Sequence, residues 1–322
     1  MEDHLNHLRN LGISSHVLSS NSKSGFMKSI YKQIEENPVP FRIVFVTPEM
    51  LHKSKTLMNA IKKCHLNNQL KRFVIDEVHC LSTWGHDFRQ DYQILHEIKY
   101  LFPNTPILGL TATATPVVIN SIQRELSIMG CPVFKDSFFR SNLVYKVENV
   151  ENIKPNEVMN RIVSLLLNQY SDQTGLIYCL TIKDVETVTQ YLQEHGIKAL
   201  PYHAQMDPEE RKRSYKQWFS GNINVIVATI AFGMGINKNN VRFVFHFSLS
   251  KSLENYYQET GRAGRDGLKS DCILFYRFSD IFRVSKLNAD SKSSKETFLA
   301  MLRYCVNVLD CKKSKFLLLF SV

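Results

Sequence analysis

The alternation of apolar runs and helix-length amphipathic stretches predicts an α/β fold. In the first part of the chain, short β-branched runs occur at 42–48, 72–77 and 106–113, and each ends in a polar or proline-containing turn. Segments long enough for helices lie between them, at Glu49–Cys64 and Tyr92–Leu101. Strands that alternate with helices in this way form a parallel sheet that the helices cover.

A second series of the same kind begins near Glu151. Its predicted helices and strands are, in chain order, 156–168, 174–180, 182–195, 198–203, 207–220, 224–229 and 242–247. The segment Lys135–Val147 lies between the two series and is the best candidate for a domain boundary. The pattern therefore predicts two α/β domains in tandem, and it contains no repeat short enough to indicate a solenoid.

Charge and cysteine content narrow the class of protein. The chain has 40 Lys and Arg against 30 Asp and Glu, a net charge of +10, which favours a polyanionic partner such as nucleic acid. No apolar run has the length of a membrane span, and the first ten residues do not resemble a secretory signal. The seven cysteines are scattered without a disulfide framework, which fits a reducing intracellular compartment.

Two adjacent carboxylates, Asp76 and Glu77, end the second apolar run. Ligands of open α/β sheets bind beyond the carboxyl ends of the strands. One carboxylate at such a place can hold a hydrated Mg²⁺, and its neighbour can act as the base for an attacking water. The alternative is that the pair only caps the next helix, and for the pair alone that alternative is the stronger.

Longer motifs in the chain favour a functional role for Asp76 and Glu77 over a helix cap. They are, in chain order, DEVH (76–79), CLSTWGHDFRQDY (80–92), GLTATAT (109–115), GLIYCLTIKDVE (175–186), YHAQM (202–206), VIVATIAFGMGINKNNVRFVFH (225–246) and SLENYYQETGRAGRDG (252–267). Together they cover essentially the whole chain, and the sequence resembles the RecQ family of superfamily 2 DNA helicases. The tail, Met301–Phe320, is most similar to the short eukaryotic members.

The resemblance implies an ATP-dependent helicase that unwinds DNA from 3′ to 5′ in repair, recombination and replication, in the nucleus. It implies two RecA-like parallel-sheet domains at 1–141 and 142–283, the first of them N-terminally truncated, and an incomplete helical zinc-binding segment at 284–322. The implied cofactors are ATP and Mg²⁺, with zinc in the full-length family members. The implied partners are single-stranded and forked DNA and DNA-repair proteins, with no membrane.

The resemblance also assigns the nucleotide chemistry. The residues are Asp76, Glu77, His79, Asn237, Gln258, Arg262 and Arg265. Asp76 would hold Mg²⁺, Glu77 would orient or deprotonate the attacking water, and His79 would sense the nucleotide state. Arg262 and Arg265 would stabilise charge on the γ-phosphate as arginine fingers, supported by Gln258.

A second set of residues is assigned to DNA: Trp84, Phe88, Arg89, Thr111, Thr113, Thr229 and Gly233. Bases stack on aromatic side chains for roughly 1–3 kcal/mol each, and arginine adds phosphate contacts. The threonines of the TAT segment would link the ATP site to the DNA strand. A glycine permits close approach of the backbone to a phosphate.

The chain departs from the family in three places. Asn237 stands where the family usually has Asp, so it keeps hydrogen bonding but loses a charge that helps to contact the nucleotide. The phosphate-binding motif G-x-x-x-x-G-K-[ST] does not occur in the chain, and in the family it precedes the segment that resembles 1–13. Cys311 aligns with the first of four zinc ligands, and the other three would follow Val322.

Two functions of different class therefore stay open. The chain is either part of an ATP-dependent DNA helicase, or a short nucleic-acid-binding or regulatory product without ATPase activity. A metal-dependent hydrolase that uses Asp76, Glu77 and His79 alone has little support, since the sequence offers no further ligand cluster.

Overall fold

A computed structural model of the protein describes residues 2–19, 22–82, 89–113, 115–233, 236–287, 292–307 and 309–320. The chain divides into two compact units, Met1–Lys135 and Asp136–Val322. This division falls at the start of the segment Lys135–Val147. The three-part assignment of domains, with boundaries at 141 and 283, stays a prediction.

The first unit is a layered α/β arrangement. Its elements are α1 (Glu2–Asn10), β1 (Ser15–Leu18), α2 (Ser24–Ile34), β2 (Ile43–Val46), α3 (Pro48–Lys53), α4 (Lys55–Leu66), β3 (Phe73–Ile75), two 3₁₀ helices (Val78–Leu81 and Gln90–Glu97), α5 (Ile98–Leu101), β4 (Ile107–Gly109) and α6 (Pro116–Glu125). The strands form two parallel pairs, β1 with β2 and β3 with β4. One buried cluster joins both pairs to the helices, and it includes Leu18, Leu57, Ile75 and Phe102.

The predicted helix Glu49–Cys64 is wrong in one respect, because it is two helices. Ser54 ends α3 and begins α4, and its side-chain oxygen accepts a hydrogen bond from the Leu57 backbone N–H at 3.2 Å. A serine in this position satisfies a donor of the new helix and so favours a restart. The predicted helix Tyr92–Leu101 is likewise a 3₁₀ helix that continues into the short α5.

The second unit is built on one six-stranded sheet. Its elements are β5 (Leu143–Asn149), α7 (Pro155–Asn168), β6 (Thr174–Tyr178), α8 (Ile182–Glu194), β7 (Ala199–Tyr202), α9 (Pro208–Phe219), β8 (Val225–Ala228), β9 (Val241–His246), α10 (Leu253–Thr260), β10 (Ser270–Tyr276), α11 (Ser279–Leu287), α12 (Lys292–Val306) and α13 (Lys312–Phe320). The strand order is β5-β10-β9-β6-β8-β7, and the paired strands are all parallel.

The central strands of this sheet are buried along their whole length. Every residue of β6, β8 and β10 is buried, which is typical of a parallel strand with helices on both faces. The prediction of an α/β fold with parallel sheets is therefore confirmed.

The second series begins earlier than the sequence pattern predicted. Strand β5 starts at Leu143, inside the segment Lys135–Val147, and pairs with β10 along seven residues, from Leu143 with Ser270 to Asn149 with Tyr276. Strand β5 lies at the edge of the sheet and contains both apolar and charged residues. Because this composition is also typical of a linker, the pattern did not separate the strand from one.

Candidate active site

The first unit presents the two adjacent carboxylates at the end of β3. Asp76 is exposed and Glu77 is half-buried, and the Glu77 backbone N–H donates to Asp76 Oδ1 at 3.0 Å. Glu77 itself has a left-handed backbone, with φ of 49° and ψ of 42°. A non-glycine residue rarely adopts this conformation, so the surrounding structure must hold it.

Backbone hydrogen bonds fix this segment to the one that follows β4. The Val78 N–H donates to the Leu110 carbonyl at 3.0 Å, and the Leu110 N–H donates to the Ile75 carbonyl at 2.9 Å. The DEVH and TAT segments are therefore neighbours at the carboxyl ends of paired strands, as the rule for open α/β sheets predicts.

His79 connects the two segments through its side chain. It is 1% exposed, and its Nδ1 atom lies 2.9 Å from Thr111 Oγ1 and 3.4 Å from Glu77 Oε2. Because a carboxylate only accepts hydrogen bonds, we assign the ring proton to Nδ1. Thr111 Oγ1 also accepts from the Thr113 N–H at 3.2 Å, and Thr113 is buried.

Tyr92 is a neighbour of this site that the sequence did not single out. Its hydroxyl donates to the Asp76 carbonyl at 3.3 Å. Burial, helped by the nearby Cys80, Glu77 and Asp76 and opposed by Arg89, raises the pKa of Tyr92 to about 12. The phenol therefore stays protonated at neutral pH and remains a hydrogen-bond donor to the loop.

The structure describes only one of the three residues that were predicted to contact DNA in the aromatic loop. Trp84 and Phe88 lie outside the described residues. Arg89 follows them, and its backbone N–H donates to the Cys80 carbonyl at 3.0 Å. This bond ties the end of the loop to the 3₁₀ helix that contains His79.

The second unit holds the predicted arginines just after α10. The Arg265 Nη1 atom donates to the Ile236 carbonyl at 2.8 Å and to Asn237 Oδ1 at 3.1 Å. The amide that replaces the family's Asp therefore accepts a hydrogen bond from one predicted arginine finger. Gln258 lies in α10 itself and is half-buried.

Arg262 packs against the turn that follows β8. A Cβ atom built on Gly233 would lie 3.5 Å from Arg262 Nη2 and 2.9 Å from the Ile230 carbonyl oxygen. Only glycine fits there without a shift, because the second distance is shorter than real Cβ contacts. Thr229 begins this turn, and its carbonyl accepts from the Phe232 N–H at 3.0 Å.

The predicted site residues thus fall into two groups, one in each unit. The first unit brings together Asp76, Glu77, His79, Thr111, Thr113 and Arg89. The second unit brings Thr229, Gly233 and Arg262 together at one turn and joins Asn237 to Arg265, and Gln258 lies in the preceding helix α10. Each group combines hydrogen-bond acceptors or guanidinium groups with a backbone turn at the carboxyl end of a strand.

Two family models match these two units. The model described as "DEAD/DEAH box helicase" matches residues 1–121, and the model described as "Helicase conserved C-terminal domain" matches residues 157–267. ATP-dependent DNA helicase Q1 of Rattus norvegicus is 43% identical over 314 residues, which is 98% of this chain and 50% of the relative. ATP-dependent DNA helicase Q-like 2 of Arabidopsis thaliana is 43% identical over 98% of this chain and 45% of the relative.

The chain has the two helicase domains of superfamily 2 and is similar over nearly its whole length to RecQ-like helicases.

Solved structures of other helicases share this fold. The structure of Mycobacterium smegmatis helicase Lhr bound to ssDNA and AMP-PNP matches 91% of this chain and 39% of its own, with a TM-score of 0.62 at 18% identity. The prediction of RecA-like helicase domains is therefore confirmed. The chain spans about half the length of the RecQ-like relatives it matches.

The residues predicted to bind Mg²⁺ and zinc differ in how well they suit these ions. Asp76 is an exposed carboxylate at a strand end, which suits an ion that keeps waters and phosphate oxygens as its other ligands. The described residues contain no group of three or more His, Cys, Asp or Glu side chains that could hold a metal ion. Cys311 is exposed with a free thiol, so a zinc site at Cys311 stays a prediction.

The part of the chain that the structure describes contains no helix with both the length and the apolar composition of a membrane span.

Proposed function

We propose that this chain supplies the nucleotide-cleaving and DNA-contacting segments of an ATP-dependent DNA helicase of the RecQ type. The rat and Arabidopsis relatives are named for that activity. Within the chain, the observation that carries the proposal is the position of His79 Nδ1, 2.9 Å from Thr111 Oγ1 and 3.4 Å from Glu77 Oε2. One imidazole therefore contacts both the predicted base and the segment that would link it to DNA.

The nucleotide chemistry follows from these groups. Phosphoryl transfer depends mainly on positioning and on neutralisation of charge. Asp76 would hold Mg²⁺, which supplies charge neutralisation to the ATP phosphates when bound. Glu77 orients the attacking water or accepts its proton, and Arg262 and Arg265 stabilise the negative charge that develops on the γ-phosphate.

The DNA partners proposed are single-stranded and forked DNA, unwound from 3′ to 5′. The net charge of +10 supports a polyanionic partner. Trp84 and Phe88 would stack on bases, with Arg89 on a phosphate, and Thr229 and Gly233 would contact the strand in the second unit. A role in DNA repair, recombination and replication, repair-protein partners, the nuclear location and zinc at Cys311 rest on the resemblance alone.

The test is ATP turnover, with and without single-stranded DNA, by a protein in which a segment that contains the G-x-x-x-x-G-K-[ST] motif precedes these 322 residues. We expect turnover that DNA stimulates, and a loss of at least about 100-fold in Glu77→Gln, since a positioned base typically contributes that much. Glu125→Gln, an exposed carboxylate at the end of α6, is the matched control and should keep full turnover. Duplexes with either a 3′ or a 5′ overhang then test the polarity.

The second candidate function is a nucleic-acid-binding or regulatory product without ATPase activity. It is favoured by the lack of the G-x-x-x-x-G-K-[ST] motif among the 322 residues. Tight binding of single-stranded DNA without any turnover would support this candidate and contradict the helicase. Turnover that survives in Glu77→Gln would contradict the role given to Glu77.

A further inference from the structure

A buried tyrosine in the second unit contacts the turn that holds Gly233. Tyr178 is the last residue of β6 and is 4% exposed. Its hydroxyl donates to the Phe232 carbonyl at 2.7 Å. Burial raises the pKa of Tyr178 to about 12, although the nearby Arg262 opposes this shift. The hydroxyl is therefore a permanent donor at neutral pH, and it fixes the backbone immediately before Gly233.

The same tyrosine ring stacks on a buried histidine. Tyr178 and His246 are register partners in β6 and β9, and their ring centroids lie 5.3 Å apart at 24°. The Tyr256 ring packs against His246 with a centroid distance of 4.7 Å and an angle of 62°. Two aromatic rings therefore fix the orientation of His246.

His246 in turn holds a carboxylate of α10. Its Nε2 atom donates to Glu259 Oε2 at 2.8 Å, and the Ser250 hydroxyl donates to the same oxygen at 2.6 Å. His246 and Glu259 are 1% and 6% exposed, so water does not replace either bond. Buried partners of this kind are costly to separate, because the group left behind stays unsatisfied.

Arg262 contacts both α10 and the turn after β8, so this series of contacts forms a closed path. The backbone N–H of Arg262 donates to the backbone carbonyl of Glu259 at 3.4 Å. The side chain of Arg262 lies beside Gly233, because a Cβ atom built on this glycine would be 3.5 Å from Arg262 Nη2. The path therefore runs from the turn after β8 through Tyr178 and His246 to α10, and returns to the same turn through the guanidinium of Arg262.

We propose that Tyr178 and His246 are positioning residues that hold Arg262 against the turn at Gly233. They would couple the predicted DNA contact at that turn to the predicted arginine finger. The coupling role rests on the proposed helicase function, whereas the positioning of Arg262 does not.

The variant that tests this is Tyr178→Phe, which removes the hydroxyl and keeps the stacked ring. The matched control is Tyr170→Phe, because the Tyr170 hydroxyl donates to Asp271 Oδ2 at 2.6 Å, is also buried, and contacts none of the site residues named above. The readout is the side-chain ¹⁵N–¹H signal of Arg262 in the full chain, assigned with Arg262→Lys. We expect Tyr178→Phe to shift this signal and Tyr170→Phe to leave it in place.

A second pair of variants tests His246. His246→Gln keeps an N–H donor within reach of Glu259, whereas His246→Ala removes it. We expect the alanine variant to shift the Arg262 signal and the glutamine variant to restore it towards the wild-type position. A wild-type Arg262 signal in Tyr178→Phe, or an equal shift in the alanine and glutamine variants, would overturn the positioning role.

Turnover of the same variants, each preceded by a segment that contains the G-x-x-x-x-G-K-[ST] motif, tests the coupling. We expect DNA-stimulated kcat to fall about threefold to tenfold in Tyr178→Phe, the loss typical of one hydrogen bond, with less change in Tyr170→Phe. An equal fall in both variants would contradict the coupling. Wild-type protein without turnover would contradict the helicase proposal, while the Arg262 signal would still decide the positioning role.

Discussion

Glu77 combines two properties that the same residue rarely has. Its carboxylate is the predicted base, and its backbone is left-handed, with φ of 49°. An L-residue in this region pays roughly 1–2 kcal/mol, because Cβ crowds the following carbonyl oxygen. The backbone bonds of Val78 and Leu110 to neighbouring segments hold the conformation in place.

This strain predicts an unusual order of stability among substitutions. Glu77→Gly relieves the Cβ contact, whereas Glu77→Ala keeps it and loses the carboxylate all the same. We expect the glycine variant to have a free energy of unfolding about 1 kcal/mol higher than the alanine variant. Urea unfolding of the two proteins measures this difference. The reverse order, which is usual for positions in ordinary backbone conformations, would show that Glu77 is not left-handed in solution.

Single residues also mark the limit of sequence reasoning about the site. The DEVH and TAT segments could be recognised from their amino-acid sequences. The contact of His79 with Thr111 could not, because 32 positions separate the two residues along the chain. Tyr92 and Tyr178 were missed for another reason: each donates to a backbone carbonyl, and every residue has one.

At the scale of elements, Gly175 decides how closely two central strands pack. It lies in β6, and a Cβ built on it would lie 2.1 Å from Phe243 Cε2 in the neighbouring β9. Phe243 is fully buried and packs in the main core of the second unit, so its ring has little space to move.

Gly175→Ala should therefore destabilise the second unit. We expect a loss of at least about 1–3 kcal/mol in the free energy of unfolding, the usual cost of overpacking a core. Gly25→Ala is the matched control, since its Cβ would meet nothing within 4 Å and the residue lies in α2. That change should stabilise the helix by about 0.5–1 kcal/mol. Similar effects at both glycines in chemical denaturation would contradict the close packing of β6 on β9.

The elements that the sequence predicted are those with one clear pattern. Strands β6 and β8 are apolar along their whole length, and their positions agree with the predicted runs to within a few residues. Strand β5 was missed because the composition of this edge strand resembles that of a linker. The break at Ser54 was missed because a single serine inside a helical pattern does not by itself indicate a helix cap. Both features depend on tertiary partners, Ser270–Tyr276 for the strand and Leu57 for the cap.

At the scale of the whole molecule, the chain has an exposed segment around the boundary between the two units. Residues 131–140 have no regular secondary structure and are mostly exposed, and Phe134 is 93% exposed. Arg140 is the exception near its end, because its guanidinium donates to the Ala263 and Gly264 carbonyls at 3.1 and 2.8 Å.

Brief trypsin treatment should therefore cut first after Lys135. Proteases cleave exposed, unstructured backbone more readily than regular elements, and the bonds of Arg140 protect the next basic site. Mass spectrometry of the first two fragments measures the position. Lys135→Gln should slow their appearance without changing thermal stability. First cuts within β5 or α10 would contradict the described accessibility.

The bond between Arg265 and Asn237 has an electrostatic consequence. A carboxylate at 237 would form an ion pair with the guanidinium and cancel its charge locally, whereas the amide oxygen accepts the same hydrogen bond at 3.1 Å and cancels nothing. The amide therefore leaves the charge of Arg265 unneutralised at this contact, and solution anions screen that charge. Any polyanion that binds there displaces those counterions. With an amide at position 237, this part of the second unit therefore binds polyanions more tightly than it would with a carboxylate, and the binding depends more strongly on salt concentration.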